Sequence, residues 1–279
     1  MAKTIPTALT IAGVDPSGGA GVLADVKAFS ALGAYACAVI AALTAQNTRT
    51  VAGVLAIAPD FIARQIDVLF ADVRIDAIKI GMVGEAPAIF TVADRLAAWK
   101  AERVVLDPVM VAKSGDALLA SAAVGALREA LVPLANVMTP NLPEAGVLLE
   151  SRAPESVKEM TRAAERLHGL MGSGERWVWL KGGHLPGGDA TDLLFNGDRM
   201  IEISRPRVET KNTHGTGCTL SAALAALLPQ RPDVPTAAQD AKDYLTEALR
   251  QADALQIGHG HGPVHHFHAL WPAASGHRR

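Results

Sequence analysis

Cysteine, aromatic residues and charge of either sign are all scarce in this chain. Cys37 and Cys218 are its two cysteines, far apart and outside any CxxC, which argues against a disulfide framework. Aromatic residues make up 4% of the total, so aliphatic side chains and alanine must fill the core. Charged residues make up 19%, with a formal net charge of −2 and no basic run. That balance gives no electrostatic footprint for nucleic acid, and no such partner is expected. No apolar run reaches the roughly 20 residues that span a bilayer. The opening Met-Ala-Lys-Thr-Ile-Pro lacks the apolar centre of a signal peptide. No membrane partner and a cytoplasmic location are therefore expected. A G-x-x-x-x-G-K-[ST] run is also missing, which excludes a P-loop.

What is present is a hydrophobic content of 49% over 279 residues, enough for a large core. Apolar runs at 8–12, 37–43, 51–57, 77–80, 103–106, 136–138 and 177–180 read as strands. Between them, three- and four-residue spacing predicts helices over 20–32, 59–73, 86–100, 114–131 and 155–170, with another opening after 139. Residues 193–195 and 200–203, joined through Asn196-Gly-Asp-Arg199, read as a hairpin. Helices over 216–228 and 236–255 finish the pattern. Strand–helix alternation predicts an α/β fold with a mainly parallel sheet covered on both faces. No composition break divides it, so one domain over 1–279 is expected.

In such a sheet, ligands sit beyond the carboxyl ends of the strands. The polar residues gathered there are Gly13 and Asp15, Gln46 and Asn47, Met82, Asp107, Asn141 and Glu144, and Lys181. With them belongs the run Thr210-Lys-Asn-Thr213-His-Gly215-Thr216-Gly217-Cys218, which enters an Ala/Leu helix. Glycines at a helix start let an anion approach bare amides at the positive end of the dipole. The same field is expected to favour thiolate at Cys218. Asp107, left at a strand tip by Pro108, and Glu144 in a first helical turn suit a hydrated magnesium ion. A turn aspartate and a dipole-stabilised glutamate explain them equally well. Lys181 could neutralise nucleotide phosphate or simply be a surface lysine. Gly19-Ala-Gly-Val-Leu-Ala24 matches a dinucleotide fingerprint, but no acid follows the second strand before Asp60, so that reading is disfavoured. Histidines 259, 261, 265, 266 and 268 leave zinc binding and ordinary packing open, with packing preferred.

The ordered set Asp15-Pro-Ser-Gly-Gly-Ala-Gly21, Ala45-Gln-Asn-Thr48, Lys79-Ile-Gly-Met82, Asp107-Pro-Val-Met110, Thr139-Pro-Asn-Leu-Pro-Glu144, Lys181-Gly-Gly-His184, Asn212-Thr-His-Gly-Thr-Gly-Cys218 and Gly262-Pro-Val-His-His-Phe-His268 resembles the hydroxymethylpyrimidine/phosphomethylpyrimidine kinases of thiamin biosynthesis. The resemblance runs from about residue 7 to 271 and implies a ribokinase-like three-layer α/β/α sandwich. It implies ATP-dependent phosphorylation of 4-amino-5-hydroxymethyl-2-methylpyrimidine to its monophosphate and then to the pyrophosphate. Carried over residue by residue, it puts the pyrimidine on Gly13, Asp25, Gln46, Met82, Val109 and Cys218. The nucleotide falls on Lys181, Thr213 and Asn141, the metal on Asp107 and Glu144. Catalysis falls on Cys218 and the turn of Gly215, Thr216 and Gly217. Magnesium is expected, a monovalent cation is possible by the same likeness, and a homodimer is implied. Sugar kinases of this fold carry an aspartate base where this chain has Cys218. Pyridoxal kinase is the nearest rival activity, and Gln46 favours the pyrimidine.

Overall fold

The computed structural model describes residues 4–110 and 121–271. Strand β1, Thr7–Val14, has six consecutive buried positions, as a strand covered on both faces requires. It leads through a glycine-rich loop to α1, Gly21–Ala31, then β2, Tyr35–Gln46, and β3, Val51–Ala56. Helix α2, Pro59–Phe70, β4, Ala77–Ile80, α3, Ala86–Ala98, and β5, Val104–Leu106, follow. Beyond these come α4, Ser121–Ala126, β6, Val137–Met138, α5, Leu142–Leu148, and α6, Val157–His168. The chain then forms β7, Trp177–Leu180, the hairpin β8, Asp189–Phe195, with β9, Met200–Pro206, and helices α7, Thr216–Leu227, and α8, Val234–Arg250.

The nine strands make one sheet in the order β3-β2-β1-β4-β5-β6-β7-β8-β9. Strands β2 through β7 pair in parallel, while β3 and the β8–β9 hairpin add antiparallel edges. Alternation along each strand divides the core. Leu9, Ile11, Ile78, Ile80 and Leu106 join α2 to α6 on one face. Ala8, Val105, Trp177 and Trp179 join α1, α7 and α8 on the other. The fold is thus a three-layer α/β/α sandwich.

Helix α7 has nine buried residues and is apolar on every side, as a helix running through a core must be. Proline at the first positions starts α2, α3, α5 and α8, where its missing N–H costs no hydrogen bond. Two helix starts bear on the sequence reading. The expected start of a helix at Ser114 lies outside the described residues. The described part is α4 followed by a π-helical turn over Leu127–Leu131 and a 3₁₀ turn over Val132–Leu134. The last helix begins at Val234 rather than 236, because Asp233 caps it by accepting from the Thr236 amide at 2.8 Å.

Candidate active site

Beyond the carboxyl ends of the parallel strands lies a cavity of about 450 Å³. The bend before α7 forms part of its lining. Gly215 adopts φ 75°, and no side chain caps the helix, so the first amides, from 216 to 218, have no intrahelical partner. A Cβ at Gly215 would lie 1.7 Å from the Gly19 carbonyl oxygen, and one at Gly21 would lie 2.3 Å from that of Gly13. Gly215 therefore allows the bend to pack against the β1–α1 loop, and Gly21 allows the loop to pack on the end of β1. Gly215, Thr216, Gly217 and Cys218 all line the cavity, and so does Thr213, whose carbonyl receives the Thr216 amide at 3.4 Å.

One wall joins the residues assigned by resemblance to the pyrimidine. Gly13, Gln46, Met82 and Val109 line it together. The Gly13 amide donates to the Met82 carbonyl at 2.9 Å. A Cβ at Gly13 would stand 2.7 Å from Met82 Cε, so only glycine lets that thioether lie there. Gln46 is half-buried, and its Oε1 lies 3.3 Å from Thr44 Oγ1.

Asp25 does not join this wall. It has no exposure and is absent from the cavity lining. Its Oδ2 accepts from Thr10 Oγ1 at 2.6 Å, and Lys79 Nζ donates to Oδ1 and Oδ2 at 2.9 and 2.8 Å. Alternation along β1 and β4 turns Thr10 and Lys79 toward α1, where both meet this carboxylate. Lys79, by contrast, does line the cavity. Burial opposes its charge, but Asp25 more than compensates and raises its pKa.

The lining also carries charge. Lys181, just after β7, meets Asp107, just after β5, at 3.1 Å. Asp107 also accepts from Thr139 Oγ1 at 3.2 Å and from Ser221 Oγ at 3.1 Å. Burial raises its pKa, but Lys181 and Lys79 outweigh this and hold the carboxyl below its ordinary range. Lys181 is buried beside Asp107 and Glu144 and keeps its proton more tightly than usual. A free surface lysine is thus the wrong description.

Asn141 and Glu144 form a reciprocal cap on α5: the Glu144 amide donates to Asn141 Oδ1 and the Asn141 amide to Glu144 Oε2, each at 2.8 Å. Burial pushes the Glu144 carboxyl up to about 7, against the pull of Lys181. A carboxyl so placed gains from a cation, and with Asp107 it offers the one or two hard oxygen ligands that magnesium takes from a protein when phosphates and water supply the rest. The donor set fits that ion.

Cys218 overturns a second expectation. Burial pushes its thiol up to about 11, despite Lys79 and a hydrogen bond from the Gly21 amide, with Asp25 and Asp107 adding to the rise. Desolvation and two carboxylates outweigh the helix field, so the thiol is protonated near neutrality.

Asp15 and His214 line the cavity as well and meet at 2.6 Å through His214 Nε2 and Asp15 Oδ2. The sequence marks both within motifs but gives neither a role, because they lie 199 residues apart. The histidine tail packs instead of converging. His266 Nε2 lies 3.0 Å from Thr219 Oγ1, Tyr244 donates to the His266 carbonyl at 2.7 Å, and His265 stacks edge-on with Trp271. Burial holds His266 down at about 3. Among the described residues, no group of three or more His, Cys, Asp or Glu side chains is placed to hold a metal.

The family model for phosphomethylpyrimidine kinase matches residues 15–265. The chain is 54% identical over 264 residues to the hydroxymethylpyrimidine/phosphomethylpyrimidine kinase of Escherichia coli strain K12, covering 95% of this chain and 98% of that one. The solved phosphomethylpyrimidine kinase from Clostridium difficile 630 superposes with a TM-score of 0.77 at 38% identity, over 88% of this chain and all of that one. The ADP complex of Bacillus subtilis pyridoxal kinase superposes with a TM-score of 0.87 at 33% identity, over 95% and 99%. Sequence and fold together make this chain a member of the phosphomethylpyrimidine kinase family.

Proposed function

We propose that the chain transfers the γ-phosphoryl group of ATP to the hydroxymethyl oxygen of 4-amino-5-hydroxymethyl-2-methylpyrimidine, then to the resulting monophosphate, giving the pyrophosphate ester used in thiamin biosynthesis. The observation that carries this reading is a single cavity lined together by the amide-bearing bend, Gln46 and the Lys181–Asp107 pair. The amide of Gln46 offers a donor and an acceptor to an aminopyrimidine edge, with Met82 and Val109 packing on the ring. Gly13 keeps the pocket open beside them. Lys181, Thr213 and Asn141 receive the nucleotide; the ADP complex of the pyridoxal kinase relative supports nucleotide use by this fold.

Asp107 and Glu144 would hold magnesium, which neutralises phosphate charge when bound. The amides at 217 and 218 face the charge that develops on the transferring group, and such donors aimed at a developing charge carry much of a catalyst's effect. Cys218 accepts the substrate hydroxyl proton in its thiolate form, which is a small fraction at neutral pH and grows about tenfold per pH unit. A loose transition state needs little base strength, so positioning and charge neutralisation dominate. In the second step the acceptor is a phosphate oxygen, already ionised.

The unit that carries this activity is one domain over 1–279, in the cytoplasm. No helix of the described residues is long and apolar enough to cross a membrane. Two copies pair through the open edge of the sheet, where Val54 and Leu55 of β3 are 53% and 64% exposed; apolar edges of that kind are normally covered. Mass spectrometry of products from hydroxymethylpyrimidine, ATP and magnesium tests the activity. Monophosphate followed by pyrophosphate is expected, and ATP consumption with pyridoxal alone would overturn the substrate. Sedimentation at micromolar concentration tests the pairing.

A further inference from the structure

The cavity holds one pair of buried, oppositely acting side chains that the proposed chemistry leaves idle, Asp15 and His214. Asp15 is 3% and His214 6% exposed. Asp15 Oδ1 accepts from the Ser17 amide at 2.8 Å; its Oδ2 accepts from Ser17 Oγ at 2.9 Å and the Ala20 amide at 3.0 Å, and meets His214 Nε2 at 2.6 Å. Burial raises the Asp15 pKa, but His214 and Ser17 outweigh it and hold the carboxyl below its ordinary range. The carboxylate thus orders its own loop and grips the residue just before the bend.

Two further contacts of His214 and one of its neighbour Gly215 leave the bend little freedom. The His214 amide donates to the Gly262 carbonyl at 3.0 Å. A Cβ on Gly19 would stand 2.3 Å from His214 Cδ2, and one on Gly215 would stand 1.7 Å from the Gly19 carbonyl. The β1–α1 loop on one side and the segment at 262 on the other therefore bracket the bend. Where His214 is held, Gly215 turns, and the amides of 216 to 218 point accordingly.

We propose that Asp15 and His214 are positioning residues for phosphoryl transfer, setting the aim of the bend amides without touching the reacting atoms. This rests on the kinase reading above. A displacement of about 1 Å at a reacting centre costs about a hundredfold in rate, so slack in this pair acts on turnover more than on pyrimidine affinity. Because the same amides serve both phosphorylations, both steps must suffer alike. That separates the pair from Cys218, whose loss falls on the first step.

The test compares Asp15→Asn, His214→Leu, His214→Gln and the double variant Asp15→Asn/His214→Leu with the wild-type chain, each checked for cooperative thermal unfolding. Asp15→Asn and His214→Leu should lower kcat of both steps by the same factor, about tenfold or more, with KM for the pyrimidine nearly unchanged. The double variant should be no slower than the worse single, as expected of residues acting as one unit. His214→Gln, which keeps an N–H donor, should recover much of the loss. A folded Asp15→Asn enzyme with wild-type kcat, a loss confined to the first step, or additive losses in the double would overturn the inference. Should Asp15→Asn not fold, equal losses in His214→Gln and His214→Leu would do so. A wild-type chain that moves no phosphate from ATP to the pyrimidine removes the kinase reading and this inference with it, before any variant is made.

Discussion

Lys79 and Asp25 form an ion pair with no exposure on either side chain, with Nζ 2.9 Å from Oδ1 and 2.8 Å from Oδ2. The pair joins β4 to α1 beneath the cavity floor. Removing one partner strands the other as a buried charge, which costs about 3–5 kcal/mol. Asp25→Ala should therefore lose about that much stability in urea unfolding, while Asp25→Ala/Lys79→Met should recover most of it. An Asp25→Ala chain as stable as wild type would mean that the pair does not hold the helix to the sheet.

Cys218 offers a pH signature. With its thiol pushed up to about 11, the thiolate fraction climbs throughout the neutral and mildly alkaline range. If the thiolate is the base, kcat of the first step should rise with pH across that range, and that of the second should stay nearly flat. Cys218→Ala should abolish the slope and slow the first step about 10²-fold or more, the usual contribution of a positioned base. A first step as pH-independent as the second would remove the sulfur from proton transfer.

Glu144 should make the chain less stable as pH rises through the mildly acidic range. Its folded pKa, about 7, stands above the ordinary 4.5, so the native state binds the proton more tightly than the unfolded one. The stabilisation is complete below about 4.5 and is lost as pH climbs to about 7. Relative to Glu144→Gln, the wild type should lose on the order of 3 kcal/mol over that window. Urea midpoints at pH 4.5 and pH 7.5 measure it, and a constant difference between the two proteins would refute the assignment. Magnesium with ATP should shrink the loss, since a nearby cation favours the carboxylate.

Gly215→Ala should be far worse than an ordinary glycine substitution. The residue sits at φ 75°, and its new methyl would lie 1.7 Å from the Gly19 carbonyl oxygen. Strain at positive φ alone costs about 1 kcal/mol, and the backbone overlap forces the bend and the β1–α1 loop apart. Activity should fall by at least the hundredfold expected of a displaced centre, even if the chain folds. Gly84→Ala is the control: its φ is 98° but nothing lies within 4 Å of the added atom, so it should show the strain without the lost turnover.

Most elements were legible because their signals are local. The buried run of β1 was read from consecutive apolar residues, and α2, α3 and α6 from three- and four-residue spacing. The same holds for the tips of the parallel strands, where Asp107 and Lys181 were expected at one edge and meet at 3.1 Å. The partner of Asp25 was not legible, because Lys79 stands 54 residues away in sequence. Asp15 and His214 went without a role for the same reason. Cys218 misled through a real effect that a larger one overrides: the helix end favours the thiolate, but burial disfavours it more.

Residue order by itself determined the strand and helix succession, the parallel sheet, the edge at which polar groups collect, and the glycine bend before α7. All of these follow from hydrophobic period, proline geometry and backbone freedom over a few residues. Only the tertiary structure decided which charges would be neighbours, and so which carboxyl would be sealed under Lys79, which would be left near pKa 7, and whether the sulfur would ionise. Protonation depends on desolvation and on charges a few ångströms away in space, and in this fold those charges come from strands and helices distant along the chain.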